Sequence, residues 1–238
     1  MAARGDVVVV HAETDAVDAA FLERLVVRVG EAERADDHDR PHAVLPGALG
    51  GVVGGGVLGG LLRVAGENGS GKTSLLKILC GLLTPDQGEV RWRGEPIRRL
   101  REDYARNLVY LGHAPAVKDD LSAAENLQIA CTLAGIPVRE DSIGEALARF
   151  GLPEKGVFLK KLSQGQRKRA ALARLWVSRE IPLWFLDEPF AALDAAAVEL
   201  TRGLIREHVA RGAAVVYTTH QEDGLQESRV VNLGAAAA

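Results

Sequence analysis

Gly66-Glu-Asn-Gly-Ser-Gly71-Lys72-Thr73 is the stretch on which the fold turns. It satisfies the pattern Gly-x4-Gly-Lys-Ser/Thr. Its glycines let the backbone fold back so that successive N–H groups face one concave point. A following helix adds its positive N-terminal end. Such a concavity takes phosphate. Upstream, Leu61–Ala65 is a short apolar run that reads as a strand. Downstream, Lys72–Leu82 carries Leu75, Leu76, Ile78, Leu79 and Leu82, which reads as a helix apolar over much of its surface. Strand, loop and helix are the context the pattern requires. A glycine-rich turn with a surface lysine is the bland alternative, and it leaves those flanks unexplained. The candidate nucleotide-binding residues are therefore Gly66, Glu67, Asn68, Gly69, Ser70, Gly71, Lys72, Thr73 and Ser74. Lys72 suits the β- and γ-phosphates of ATP, and the Thr73 hydroxyl suits Mg²⁺.

Further along, Leu183-Trp-Phe-Leu186 is a continuous apolar strand ending in Asp187-Glu188. Ligands sit at the carboxyl edge of open α/β sheets. Asp187 suits the water shell of Mg²⁺, and Glu188 suits a general base acting on water. Ser122-Ala-Ala-Glu125 is a capping box opening a helix to about Leu133. Asp141–Phe150, Ser163–Arg179 and Asp194–Arg211 are further helices. Glu89–Arg93, Asn107–Leu111 and Ala213–Thr218 are strands. This alternation predicts an α/β fold with a parallel sheet covered on both faces. Residues 114–161 contain no predicted strand and read as a helical insertion.

Leu162-Ser163-Gln164-Gly165-Gln166 stands just before a strongly helical segment, about twenty residues ahead of the acidic strand end. A plain Ser N-cap is one reading. In this order, however, the motif resembles the signature of ATP-binding-cassette (ABC) ATPases, with Gln164 where Gly is commonest. That resemblance implies a P-loop NTPase whose Ser163, Gln164, Gly165 and Gln166 face the γ-phosphate bound to a second copy of the chain. Ala191-Ala-Leu-Asp194 resembles the family's D-loop, and Asp194 is also a good N-cap. His220 follows a strand as the family's switch histidine does. With Glu188 and Lys72 it completes the implied catalytic set. His113 stands where most of the family has a Gln beside Mg²⁺ and the membrane partner. An imidazole there brings a pH-dependent charge.

Arg91-Trp-Arg-Gly-Glu-Pro-Ile97, Tyr110-Leu-Gly-His113 with Lys118-Asp119, Ala171–Trp176 and Thr218-Thr-His-Gln221 resemble one branch of that family. That branch comprises the ATP-binding subunits of haem exporters used in cytochrome c biogenesis. The resemblance covers about residues 61–222. It implies an ATP-hydrolysing subunit, peripheral on the cytoplasmic face of a bacterial inner membrane, working with integral membrane subunits. The competing readings are the ATPase of another small-substrate exporter and a soluble cassette protein acting on nucleic acid. The latter class usually carries paired cassettes, long coiled coils or basic insertions, and none is evident.

The rest of the composition sets limits. The chain has 238 residues, 47 % hydrophobic and 26 % charged, with a net charge of −3. That is ordinary for a globular protein and argues against nucleic acid as a partner. Cys80 and Cys131 are the two cysteines and have no metal-site spacing. Ala43–Leu62 is uncharged, but eight of its twenty residues are Gly and Pro46 lies within it. It reads as a loop rather than a membrane span.

Residues 1–60 depart from the family. They contain no Lys, Trp or Tyr, and Phe21 is their one aromatic. A helix is expected over Asp15–Val29 and a solvated loop over Glu31–Arg40. From Leu22 to Arg91 no aromatic is available to stack on adenine. The family would place an antiparallel β-region here, and this segment shows no strand alternation. Its residue types are those of GC-rich codons, so the expectation is an atypical N-terminal segment arising from a shifted frame upstream of about Leu61. Residues 61–238 are then the ATPase domain.

Overall fold

The computed structural model describes residues 25–28, 60–85, 88–93, 95–153, 157–220, 224–226 and 229–233. Its centre is a parallel sheet of five strands. These are β2 (Leu61–Gly66), β5 (Leu108–Leu111), β6 (Leu183–Asp187), β7 (Ala214–Thr218) and β8 (Arg229–Leu233). Their order is β5-β6-β7-β2-β8, with every neighbouring pair parallel. β6 explains why the sheet lies between two layers. Leu183 and Phe185 face one core, while Trp184 and Leu186 face the other. Side chains alternate along a strand, so an unbroken apolar run buries both faces.

One layer is α1 (Lys72–Leu79), which lays Leu75, Leu76, Ile78 and Leu79 against Val64, Phe185 and Val216. The opposite layer contains α4 (Ala123–Leu133), α5 (Glu140–Arg149), α6 (Gln164–Val177) and α7 (Ala195–Ala210). The predicted capping box at α4 is formed. The Ser122 N–H donates to Glu125 Oε2 at 2.7 Å, and the Glu125 N–H donates to Ser122 Oγ at 3.2 Å. Asp194 caps α7 by accepting from the Ala197 N–H at 2.8 Å.

A second, antiparallel sheet joins β1 (Leu25–Arg28), β3 (Glu89–Trp92) and β4 (Glu95–Pro96). This corrects the sequence reading. Leu25–Arg28, expected within a helix over Asp15–Val29, is a strand paired with β3 in the register Leu25 to Trp92. The Leu-Val-Val run satisfies either period, and a partner some sixty residues away decides between them. The rest of that helix, the loop over Glu31–Arg40 and residues 43–59 of the glycine-rich stretch lie outside the described residues. Two short helices, α2 (Ile97–Leu100) and α3 (Glu102–Ala105), were not anticipated. No described helix is long and apolar enough to cross a membrane.

A buried histidine ties the stability of the core to pH. His208 of α7 is fully buried and stacked on Trp184, with ring centroids 3.6 Å apart and 9° between planes. Burial, and then the Arg211 charge, pull its pKa down to about 4. The unfolded chain, with a histidine near 6.5, binds the extra proton first. The stabilisation is complete above about pH 6.5 and is lost as the pH falls toward 4. Unfolding in urea at pH 5 is expected to show about 2 kcal/mol less stability than at pH 7.5 from this group alone. His208→Phe should flatten that slope, and an unchanged slope would refute the assignment.

Candidate active site

The functional side chains gather at the carboxyl edge of the parallel sheet, where register brings three strand ends together. Asp187 of β6 pairs with Thr218 of β7, and β7 also neighbours β2, which runs into the phosphate loop. The loop needs glycine at its start for a steric reason. Gly66 has φ +151°, and a Cβ there would lie 2.5 Å from Ser70 Oγ and 2.7 Å from the Leu233 carbonyl oxygen. Lys72, buried, donates from Nζ to the Gly66 and Glu67 carbonyls at 2.9 and 2.8 Å. These bonds hold the ammonium under the loop, beside the concavity its backbone forms.

Asp187 is 2 % exposed, and two hydroxyls satisfy its carboxylate. Thr73 Oγ1 donates to Oδ2 at 2.8 Å, and Thr218 Oγ1 donates to Oδ1 at 2.7 Å. The Glu188 N–H in turn donates to Thr218 Oγ1 at 2.9 Å. Thr218 therefore holds both acidic residues at once. Sequence reasoning missed it, although its place at the end of an apolar strand two residues before His220 was a usable signal. Glu188 itself has φ +51°, a strained left-handed conformation for a non-glycine residue. Its Oε1 is buried and accepts no hydrogen bond. His220 Nε2 stands 3.3 Å away and would form an ion pair on protonation.

A cavity of about 550 Å³ opens between these groups. Among the predicted residues Asn68, Gly69, Gly71, Lys72, Thr73, Ser74, His113, Asp187, Glu188 and His220 line it, and Ala191 joins them. Its size is that of a small-ligand site. A Cβ at Gly69 would meet nothing within 4 Å, so the cradle is open on that side. Lys168 of α6 lines an adjoining cleft and is largely buried, with Nζ 3.4 Å from the His113 carbonyl oxygen. Burial lowers its pKa below that of an ordinary lysine, and Asp187 and Glu188 oppose the shift.

The structure does not bring Ser163, Gln164, Gly165, Gln166 or Asp194 to this cavity. Ser163 caps α6. Its Oγ accepts from the Gln166 N–H at 3.2 Å, while Gln166 Oε1 accepts from the Ser163 N–H at 2.9 Å. The plain capping role is thus present. The Ser163 hydroxyl proton is still available to an anion, because Oγ acts only as an acceptor in this box.

Among the described residues no three His, Cys, Asp or Glu side chains gather as a metal cluster. Thr73 and Asp187 do offer Mg²⁺ a hydroxyl and a carboxylate in contact. Mg²⁺ is bound by one or two such protein ligands, with phosphate and water completing its shell. The donor set fits.

Comparisons with known proteins identify the family. The profile of the ABC transporter family matches residues 58–191. The cytochrome c biogenesis ATP-binding export protein CcmA of Nitrosomonas europaea is 53 % identical over 163 residues, 68 % of this chain and 76 % of that one. The protein of the same name from Pseudomonas aeruginosa is 47 % identical over 175 residues, 73 % of this chain and 86 % of that one. Among solved structures, an ATP-binding subunit of an ABC transporter superposes with TM-score 0.62 at 27 % identity, over 68 % of this chain and 69 % of that one. A dimeric bacterial ABC transporter cassette superposes with TM-score 0.64 at 23 % identity, over 74 % and 82 %, which shows the shared fold. The chain therefore belongs to the ABC transporter family as an ATP-binding subunit, an ATPase similar to the CcmA export proteins of cytochrome c biogenesis.

Proposed function

We propose that the chain is the ATP-hydrolysing subunit of a haem-exporter complex used in cytochrome c maturation. It would work as a dimer on the cytoplasmic face of a bacterial inner membrane, beneath integral membrane subunits. One observation carries the mechanism. Thr73, Asp187 and Glu188 line one cavity with Lys72 and His220, and buried Thr218 ties the Asp187 carboxylate to the Glu188 backbone. Lys72 turns from the Gly66 and Glu67 carbonyls to the β- and γ-phosphates. Thr73 and Asp187 would hold Mg²⁺, and the chemistry it would supply is neutralisation of phosphate charge. The Glu188 carboxylate, with His220 Nε2 3.3 Å from its Oε1, takes the proton of the attacking water. His220 holds the γ-phosphate near that carboxylate. Ser163–Gln166 meet the γ-phosphate held by the partner copy, which suits their absence from this chain's own cavity.

The contact with the membrane partners is proposed at His113–Glu125 and the helices that follow. His113 lines the nucleotide cavity, while Ala114–Val117 line an adjoining cleft with Leu127 and Ala170. A ligand in the first can therefore move the wall of the second. The test is a cysteine at Val117 in chains assembled with their membrane subunits. A bifunctional cross-linker should capture a membrane subunit from Val117→Cys, and ATP should change the yield. Capture only from positions within residues 1–60 would overturn this placement.

A further inference from the structure

Gly165 stands at the second position of α6, inside the Ser163–Gln166 motif. Alanine would favour the helix there by up to about 1 kcal/mol, so propensity does not call for glycine. Its φ is not left-handed either. The reason is contact. A Cβ on Gly165 would lie 2.9 Å from the carbonyl oxygen of Ala192, the one heavy atom of the described residues within 4 Å of it apart from its chain neighbours and its own helix backbone.

Ala192 belongs to the turn whose first residue is Glu188. The turn has two left-handed non-glycine residues, Glu188 at φ +51° and Ala192 at φ +61°. It is braced at both ends. The Glu188 N–H is fixed on Thr218, and Asp194 caps α7. Between them the Ala191 N–H donates to the Glu188 carbonyl at 3.3 Å, and the Leu193 N–H donates to the Phe190 carbonyl at 3.4 Å. Phe190 is buried and meets the Tyr217 ring edge-on, centroids 6.3 Å apart. Pro189, also buried, stiffens the segment. A push on the Ala192 carbonyl therefore has few soft torsions to dissipate in before it reaches Glu188.

We propose that Gly165 is a positioning residue for Glu188 of its own chain, because its missing Cβ leaves the Ala192 carbonyl the room it occupies. The inference rests on the shared-site reading above. Phosphate held by one copy, seated on the Ser163–Gln166 motif of the second, would then bear on the base of the second copy's own site. The competing explanation is that glycine at 165 only lets backbone approach that phosphate.

Mixed dimers separate the two. In a dimer of an unaltered chain with a Lys72→Ala chain, one site keeps its phosphate loop. That site uses the unaltered chain's Glu188 and the Lys72→Ala chain's Ser163–Gln166. Gly165→Ala is then placed in the chain that donates Glu188, where it faces the disabled loop and touches no hydrolysing phosphate. Turnover is expected to fall about ten- to a hundredfold, as misplacement of a reacting group by a fraction of an ångström does, with KM for ATP unchanged. In the isolated chain, amide exchange at Ala191 and Leu193 should quicken about tenfold while that of Leu75 in α1 holds steady. Unchanged turnover in the mixed dimer overturns the proposal. So does exchange that quickens equally at Leu75, which would mean general loosening. A one-site dimer that is inert before Gly165 is altered counts against shared sites, not against this contact, and the exchange measurement then decides alone.

Discussion

Glu188→Gln is expected to bind ATP normally and to hydrolyse it about a hundred- to ten-thousandfold more slowly. The size follows from the role. A positioned general base is worth about 10²–10⁴ in rate, and glutamine keeps the shape of the carboxylate without its basicity. Binding should survive because Glu188 makes no bond to Lys72 or Thr73. Its backbone N–H, which is fixed on Thr218, is retained in the variant. Lys72→Ala is expected to fail one step earlier. Lys72 is the buried cation of the phosphate loop, and the phosphates lose their point charge with it. Nucleotide binding and turnover should therefore disappear together. Equilibrium binding of a fluorescent ATP analogue and steady-state phosphate release separate the two. If Glu188→Gln hydrolyses at the unaltered rate, the base lies elsewhere.

These expectations could be framed from sequence because the chemistry is local. In Gly66–Ser74 the loop, its lysine and its hydroxyl are adjacent in the chain, so spacing alone places them around one point. Leu183–Leu186 shows its burial on both faces as an unbroken apolar run, which also locates Asp187 and Glu188 at the strand's end. The capping box Ser122–Glu125 is a four-residue pattern and was equally visible, as was Ser163 as an N-cap. The parts that were not legible depend on distant partners. Leu25–Arg28 fits a helix until β3 is placed beside it. β8 is an edge strand whose exposed Val230 and Asn232 blur its pattern. Thr218 matters because it reaches Asp187 and Glu188 on a neighbouring strand, and no spacing records that. The stretch from Leu22 to Arg91, where the family would offer a ring to adenine, has no aromatic residue. If no ring stacks there, about 1–3 kcal/mol of binding is forgone by analogy with base stacking.

The largest gain of function is expected from two inactive chains. A Ser163→Arg chain keeps Lys72, Asp187 and Glu188 but places a bulky cation where the α6 N-terminus should meet phosphate. A Lys72→Ala chain keeps Ser163–Gln166 but loses the loop cation. Each alone should form dimers with no intact site. Mixed, half of randomly paired dimers combine one chain of each kind. Every such dimer then has one site built from an intact loop and an intact Ser163–Gln166 motif, and one site with both halves damaged. Activity should return to about a quarter of the unaltered level if the two sites act independently. The reasoning depends on geometry already described. Ser163, Gln164, Gly165 and Gln166 do not line the cavity of their own chain, which on the proposed reading leaves them to a partner's phosphate. Were they to act within one chain, each variant would disable its own site and mixing would restore nothing. Absence of recovery in dimers shown to contain both chains would therefore defeat the shared-site arrangement. Recovery scaling with the hetero-dimer fraction would fit sites shared between copies and no arrangement confined to one.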